Sequence, residues 1–201
     1  MVIAALALLA CWISASAGVP QFEVTTFGTL NNAPGWLYPA VWPVMQLGNV
    51  SVAIGLAIVI GIVAGKPRIG FLVALAAVSA WILAKLVKQQ VGRGRPGPEG
   101  LDVTLRGPME DGFGFISGHA TVAFAVAAVA APHLRRPWNW VALGAAVIVG
   151  LARIYVGVHL PLDVVGGAAC GLLIGEGVRV VELRTRGWST RRRAGPEPEP
   201  S

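Results

Sequence analysis

The chain has only three histidines among 201 residues, and two of them sit at spacings that suggest acid–base or nucleophilic work. Lys88 is followed by Arg95-Pro96, Ser117-Gly118-His119 opens an apolar run, and Arg153 is followed by His159 and then Asp163. Three cations gathered where helices end require an anion, and a planar guanidinium matches phosphate oxygens in a bidentate way. Ser117 is a good helix N-cap, which places the amides of Gly118 and His119 at the positive end of a helix, a ready phosphate site. Glycine at 118 also lets backbone approach a ligand closely. His159 precedes Leu160-Pro161, and proline favours the first helical turn, so Asp163 falls about one turn on. A carboxylate there fixes the imidazole tautomer and leaves the other ring nitrogen free to attack. His119, on a different segment, can hold a proton for the leaving oxygen, since histidine reaches both protonation states near neutral pH.

These groups need elements that bring them to one level. The composition is 55% apolar and 13% charged, with a mean hydropathy of +0.67. Soluble domains carry about 25% charged residues, so a membrane protein is expected. Apolar segments at 2–19, 44–65, 69–87, 118–133, 137–153 and 160–180 each approach the length that crosses a bilayer. The expectation is an all-α, polytopic membrane protein of six transmembrane helices, with a short interfacial helix after the first. Ala15-x-Ala17 resembles a signal-peptidase site, but no positively charged start precedes it, so a retained first helix is expected.

With six crossings, one side holds Lys66, Arg68, Arg135, Arg136, Arg179, Arg184, Arg186, Arg191, Arg192 and Arg193. The other holds Lys85, Lys88, Arg93, Arg95, Arg106 and Arg153. The positive-inside rule then puts the C-terminal tail in the cytoplasm and the candidate site on the extracytoplasmic face of the cell membrane. His133, on the cytoplasmic side, is assigned a structural role. A six-helix membrane domain is expected over 1–183, followed by a basic, then Pro/Glu-rich tail over 184–201 that leans on anionic lipid without order. The tail is too short a basic run to imply nucleic acid as a partner; the expected partners are membrane lipids. Cys11 and Cys170 fall inside apolar segments and imply neither a disulfide framework nor a metal cluster.

Two stretches break the pattern. In 20–43, Phe22, Val24, Phe27 and Leu30 are expected to form one face of the interfacial helix, with Trp36, Tyr38 and Trp42 as headgroup-level anchors. The polar insertion 88–116 is rich in Gly and Pro, and a loop of that length in a compact protein is functional or disordered; its charges favour function.

Together the three clusters resemble the signature of the type 2 phosphatidic acid phosphatase superfamily, K-x6-RP, PSGH and SR-x5-H-x3-D. This chain reads KQQVGRGRP at 88–96, ISGH at 116–119 and ARIYVGVHLPLD at 152–163. Two positions depart, Ile116 for proline and Ala152 for serine, which bears on rate and preference rather than on the reactive groups. The resemblance implies a metal- and cofactor-independent phosphatase. In it His159 forms a phosphohistidine, Asp163 orients it, and His119 protonates the leaving oxygen and then activates water. Lys88, Arg95, Ser117, Gly118 and Arg153 would hold the phosphoryl oxygens.

The expected substrate is a lipid phosphate in the outer leaflet. Undecaprenyl or another polyprenyl diphosphate comes first, with phosphatidic acid and phosphatidylglycerol phosphate behind it. Lys85, Arg93 and Arg106 are candidate contacts for a second phosphate. A phosphotransferase using the same histidine, and a non-catalytic binder of anionic headgroups, are the alternatives. The binder has no use for His159 and Asp163.

Overall fold

A computed structural model describes residues 1–63 and 65–193, with side chains as far as Thr185. Among these residues there are eight α-helices and no strand. They are α1 (Val2–Ser16), α2 (Gln21–Asn31), α3 (Tyr38–Met45), α4 (Val50–Val63), α5 (Pro67–Val91), α6 (Gly118–Ala130), α7 (Trp138–Tyr155) and α8 (Pro161–Arg193). Helix α8 therefore carries on through 184–193, the first part of the expected tail; residues 194–201 lie outside the described residues.

Helices α5, α7 and the Pro161–Thr185 part of α8 are each long and apolar enough to cross a membrane. Two bent pairs pass the same test together: α1 with α2, at 98°, and Gly35–Gly48 with α4, at 72°. The protein is thus an all-helical, multi-pass membrane protein. Helix α6 has 13 residues, about 20 Å at 1.5 Å per residue.

The breaks follow from local chemistry. Gly18 takes a φ of +117° and Pro20 caps α2, so α1 cannot run into it. Asn49 Oδ1 accepts from Ser51 N at 2.9 Å and starts α4. Gly92, at φ +65°, ends α5 in a left-handed cap.

The interior is built from small residues. Ala53, Ala57, Val73, Ala76, Ala77, Ala80, Val122, Ala125 and Val129 form one cluster joining α4, α5 and α6. Large apolar side chains such as Ile58, Phe71, Ile82 and Val165 point outward, as expected where lipid is the solvent. Helix α6 is central, packed on α5, α7 and α8. Its seam with α8 is made by glycine: a Cβ added at Gly167 would lie 2.7 Å from Ser117 O, and one at Gly171 would lie 2.4 Å from Thr121 O. Only glycine permits so close an approach, and this approach sets the N-terminal ends of α6 and α8 side by side.

Helix α2 does form after the first helix, but with a different face inward. Glu23, Phe27 and Asn31 are buried, at i, i+4 and i+8, while Phe22 is 55% exposed. The expected face of Phe22, Val24, Phe27 and Leu30 is corrected accordingly. Polar partners inside the protein outweigh the apolar stripe. Asn31 donates to Thr104 O at 2.9 Å and Tyr155 O at 3.0 Å, and accepts from Thr104 N at 2.8 Å.

Candidate active site

The C-terminal ends of α5 and α7 and the N-terminal ends of α6 and α8 meet at one end of the bundle, roofed by the 92–117 loop. The loop is held in place although it has no regular structure. Arg106 stacks on the Tyr155 ring at 4.3 Å and donates to Asn31 O at 2.7 Å, Tyr155 O at 2.8 Å and Ala33 O at 2.7 Å. Gly114 N donates to Arg93 O at 2.7 Å.

Beneath the roof is a cavity of about 570 Å³, lined by Lys88, Arg95, Glu110, Gly118, His119 and His159, with Trp81 and Val50 on its apolar side. The other sequence-predicted residues stand just behind this lining. Asp163 is fully buried: its Oδ2 is 3.2 Å from His159 Nδ1 and accepts from Leu160 N at 2.9 Å. With Nδ1 engaged, His159 keeps Nε2 for chemistry. Ser117 caps α6, its Oγ accepting from Ala120 N at 3.5 Å, while its own N–H donates to Asp163 O at 2.8 Å. That last bond ties the start of α6 directly to the first turn of α8. A Cβ at Gly118 would meet nothing within 4 Å, so the space beside the first amides of α6 is open. Lys88 reaches the loop, donating to Phe113 O at 2.7 Å and Gly114 O at 2.9 Å.

Arg95 and Arg153 converge on one anion, and that anion belongs to the protein. The Glu110 carboxylate pairs with Arg95 Nη2 at 3.0 Å through one oxygen and with Arg153 Nη2 through the other. Among the described residues, the buried Nε atoms of both arginines have no partner. Burial opposes ionisation of Glu110, but Arg153 and Arg95 outweigh it and hold the carboxyl below its usual range. His159 is lowered too: burial, reinforced by Lys88, Arg153 and Arg95, holds it well below the ordinary imidazole value. Such a shift favours the neutral ring.

Two residues of this assembly, Glu110 and Glu23, escaped the sequence reading, and a third, Arg93, was given another role there. Glu110 lies 43 residues from Arg153, with no motif to flag it. Glu23 and Arg93 form a buried pair beside Asp163, with Arg93 Nη1 3.2 Å from Asp163 Oδ1. The one available signal was the helical spacing of Glu23, Phe27 and Asn31, which puts a carboxylate on a buried face in need of a cation. This placement also corrects the second-phosphate set. Arg93 and Arg106 are committed to internal partners, and only Lys85 lies at the cavity, its Nζ 3.9 Å from the Trp81 ring centroid. Ile116 and Ala152, the two departures from the motif, are both buried in apolar clusters.

The PAP2 superfamily family model matches residues 68–185, more than half of the chain and every charged or titratable residue lining the cavity. The chain belongs to the PAP2 superfamily. It is 33% identical to phosphatidylglycerophosphatase B of Bacillus subtilis (strain 168) over 154 residues, which is 69% of this chain and 72% of the relative. It is 33% identical over 106 residues to an undecaprenyl-diphosphatase of Sulfolobus acidocaldarius, covering 52% and 50% of the two chains. Among solved structures, it resembles the transmembrane PAP2-type phosphatidylglycerolphosphate phosphatase of Bacillus subtilis, with a TM-score of 0.73 at 27% identity over 92% of this chain and 98% of that one. It also resembles LpxE of Aquifex aeolicus, with a TM-score of 0.69 at 28% identity over 77% and 92% of the respective chains. This PAP2 protein is a membrane lipid phosphatase.

Proposed function

We propose that this phosphatase hydrolyses the terminal phosphate of an outer-leaflet lipid through a phosphohistidine on His159. The observation that carries the reading is His159, oriented by Asp163, in a cavity where two guanidiniums already converge on a carboxylate. In the first step His159 Nε2 bonds to phosphorus, the P–O bond to the lipid breaks, and His119 gives its proton to the leaving oxygen. In the second, His119 takes a proton from water, the water oxygen bonds to phosphorus, and the N–P bond breaks to release orthophosphate. Lys88, Arg95, Arg153, Ser117 and the amides at Gly118 hold the phosphoryl oxygens. Stabilising charge at the reacting centre in this way is what phosphoryl transfer needs most.

Six crossings, by α1, α4, α5, α6, α7 and α8, fit the alternation of helix ends around the cavity, with α2 and α3 at the outer interface. With these crossings, the charge distribution supports a site outside the cytoplasm and a C-terminal end inside. Loss of Arg93 and Arg106 from the second-phosphate set removes most of the support for a diphosphate. Phosphatidylglycerol phosphate, the substrate named for the Bacillus relatives, now stands level with polyprenyl diphosphate. The deciding experiment is phosphate release by purified protein in detergent with chelator, offered both lipids and phosphatidic acid, beside His159→Ala. Release that His159→Ala abolishes supports the mechanism and ranks the substrates. No release from any lipid, or release that survives the substitution, defeats it.

A further inference from the structure

We propose that Glu23 and Arg93 are positioning residues for phosphoryl transfer, an ion pair that fixes the Asp163 carboxylate so that it can orient His159. The inference rests on the nucleophilic role proposed above. Asp163 has two oxygens with separate duties. Oδ2 faces His159 Nδ1 at 3.2 Å and Leu160 N at 2.9 Å, while Oδ1 faces Arg93 Nη1 at 3.2 Å. Without a partner on Oδ1, rotation about the Cβ–Cγ bond would exchange the two oxygens and loosen the contact with His159.

Arg93 does not act alone: its planar guanidinium has five donors, and a second carboxylate on that fork fixes its plane. Glu23 supplies it. Its carboxylate faces both terminal nitrogens of Arg93, and Oε1 also accepts from Leu162 N at 2.7 Å. Glu23 thereby caps the first turn of α8, the turn that carries Asp163. Arg93 Nη2 further donates to Gly18 O at 3.3 Å, in the bend between α1 and α2. Side chains of Glu23, Arg93 and Asp163 are 0%, 2% and 0% exposed, which leaves this network out of reach of substrate and excludes direct contact with it. Its route to the chemistry is through the His159 ring. The charged and titratable groups facing Asp163 are Arg93 from the loop, Glu23 from α2, Lys88 from α5, and His159 itself.

The test compares Arg93→Met, Arg93→Lys and Glu23→Gln with the unaltered chain in detergent, on phosphatidylglycerol phosphate and polyprenyl diphosphate, across pH 5–9. Misorienting a reacting group by about 1 Å costs about 10²-fold, so Arg93→Met is expected to lower kcat by about that factor with little change in KM. Its acid limb moves to higher pH, because two facing carboxylates without their cation retain a proton. Arg93→Lys restores charge without the fork and recovers part of kcat. Glu23→Gln still accepts from Leu162 N and loses less. A kcat within about 3-fold of the unaltered chain, or a loss uniform across pH, overturns the proposal. If Arg93→Met does not fold, a kcat within about 3-fold of the unaltered chain in both other variants overturns it. Absence of turnover in the unaltered chain would count against the proposed function, not against this pair. In that case the pair is read by carbethoxylation of His159 followed by mass spectrometry: slower modification in Arg93→Met supports it, and an unchanged rate overturns it.

Discussion

Replacing Gly171 by alanine should separate the two histidines without touching either. A methyl there would lie 2.4 Å from Thr121 O, 2.9 Å from Ala125 N and 3.0 Å from Phe124 Cβ. Ordinary contact begins near 3.4 Å, so α6 and α8 must part by about 1 Å, and the obstacles are largely backbone atoms that cannot swing aside. Thr121 lies two residues past His119 and bonds through Oγ1 to Ser117 O at 2.8 Å, so displacement at this seam reaches the N-terminal end of α6. The expected cost is about 1–3 kcal/mol of stability, as for other overpacked interiors. The expected loss of kcat is about 10²-fold, since His119 and His159, the acid and nucleophile of the proposed mechanism, lie at the ends of the two separated helices. Gly177→Ala, on the same helix with nothing within 4 Å, is the control and should keep full activity. Phosphate release and thermal melting in detergent would be measured on both. A Gly171→Ala enzyme within about 3-fold of Gly177→Ala would show that seam spacing does not set the catalytic geometry.

Three further outcomes follow from the site. Glu110→Gln removes the anion shared by Arg95 and Arg153, so orthophosphate should inhibit about 10-fold or more strongly, read as its inhibition constant; weaker inhibition would make Glu110 a support for the cations instead. Because His159 is held well below the ordinary imidazole value, protonation comes only at lower pH, and its carbethoxylation should persist below about pH 6.5, where a free imidazole control is already half protonated. Loss of reactivity in step with that control would contradict the assigned environment. Lys85→Gln should lower kcat/KM for diphosphates by about 10-fold and leave monophosphates nearly unchanged; equal losses would remove Lys85 from a second-phosphate role.

The groups of the candidate site were legible because their spacing is set within single turns: Asp163 lies four residues beyond His159, and the Ser117 cap lies two before His119. What was hidden depends on distance along the chain or on absent side chains. Glu23 meets Arg93 across 70 residues, and a lone carboxylate in an apolar stretch looks outward-facing until its cation is placed. Hydropathy also scores Gly167 and Gly171 as ordinary spacers, although their missing Cβ atoms create the α6–α8 seam. The first segment was expected to run to 19 as one span, but Gly18 and Pro20 end it and turn the chain by 98°. Hydropathy averages over that break because Val19 and Phe22 on either side are apolar.

The Glu110 carboxylate sets a threshold for what can enter the site. A group carried on the protein's own loop competes at an effective concentration on the order of mM. Free orthophosphate in dilute surroundings must match that figure to displace it from Arg95 and Arg153. A lipid phosphate confined to a leaflet meets the site at a far higher local concentration, because two dimensions replace three. Under the function proposed here, the enzyme would then favour membrane-borne phosphate over the same group dissolved in water, through occupancy of the resting site rather than through recognition of the lipid tail.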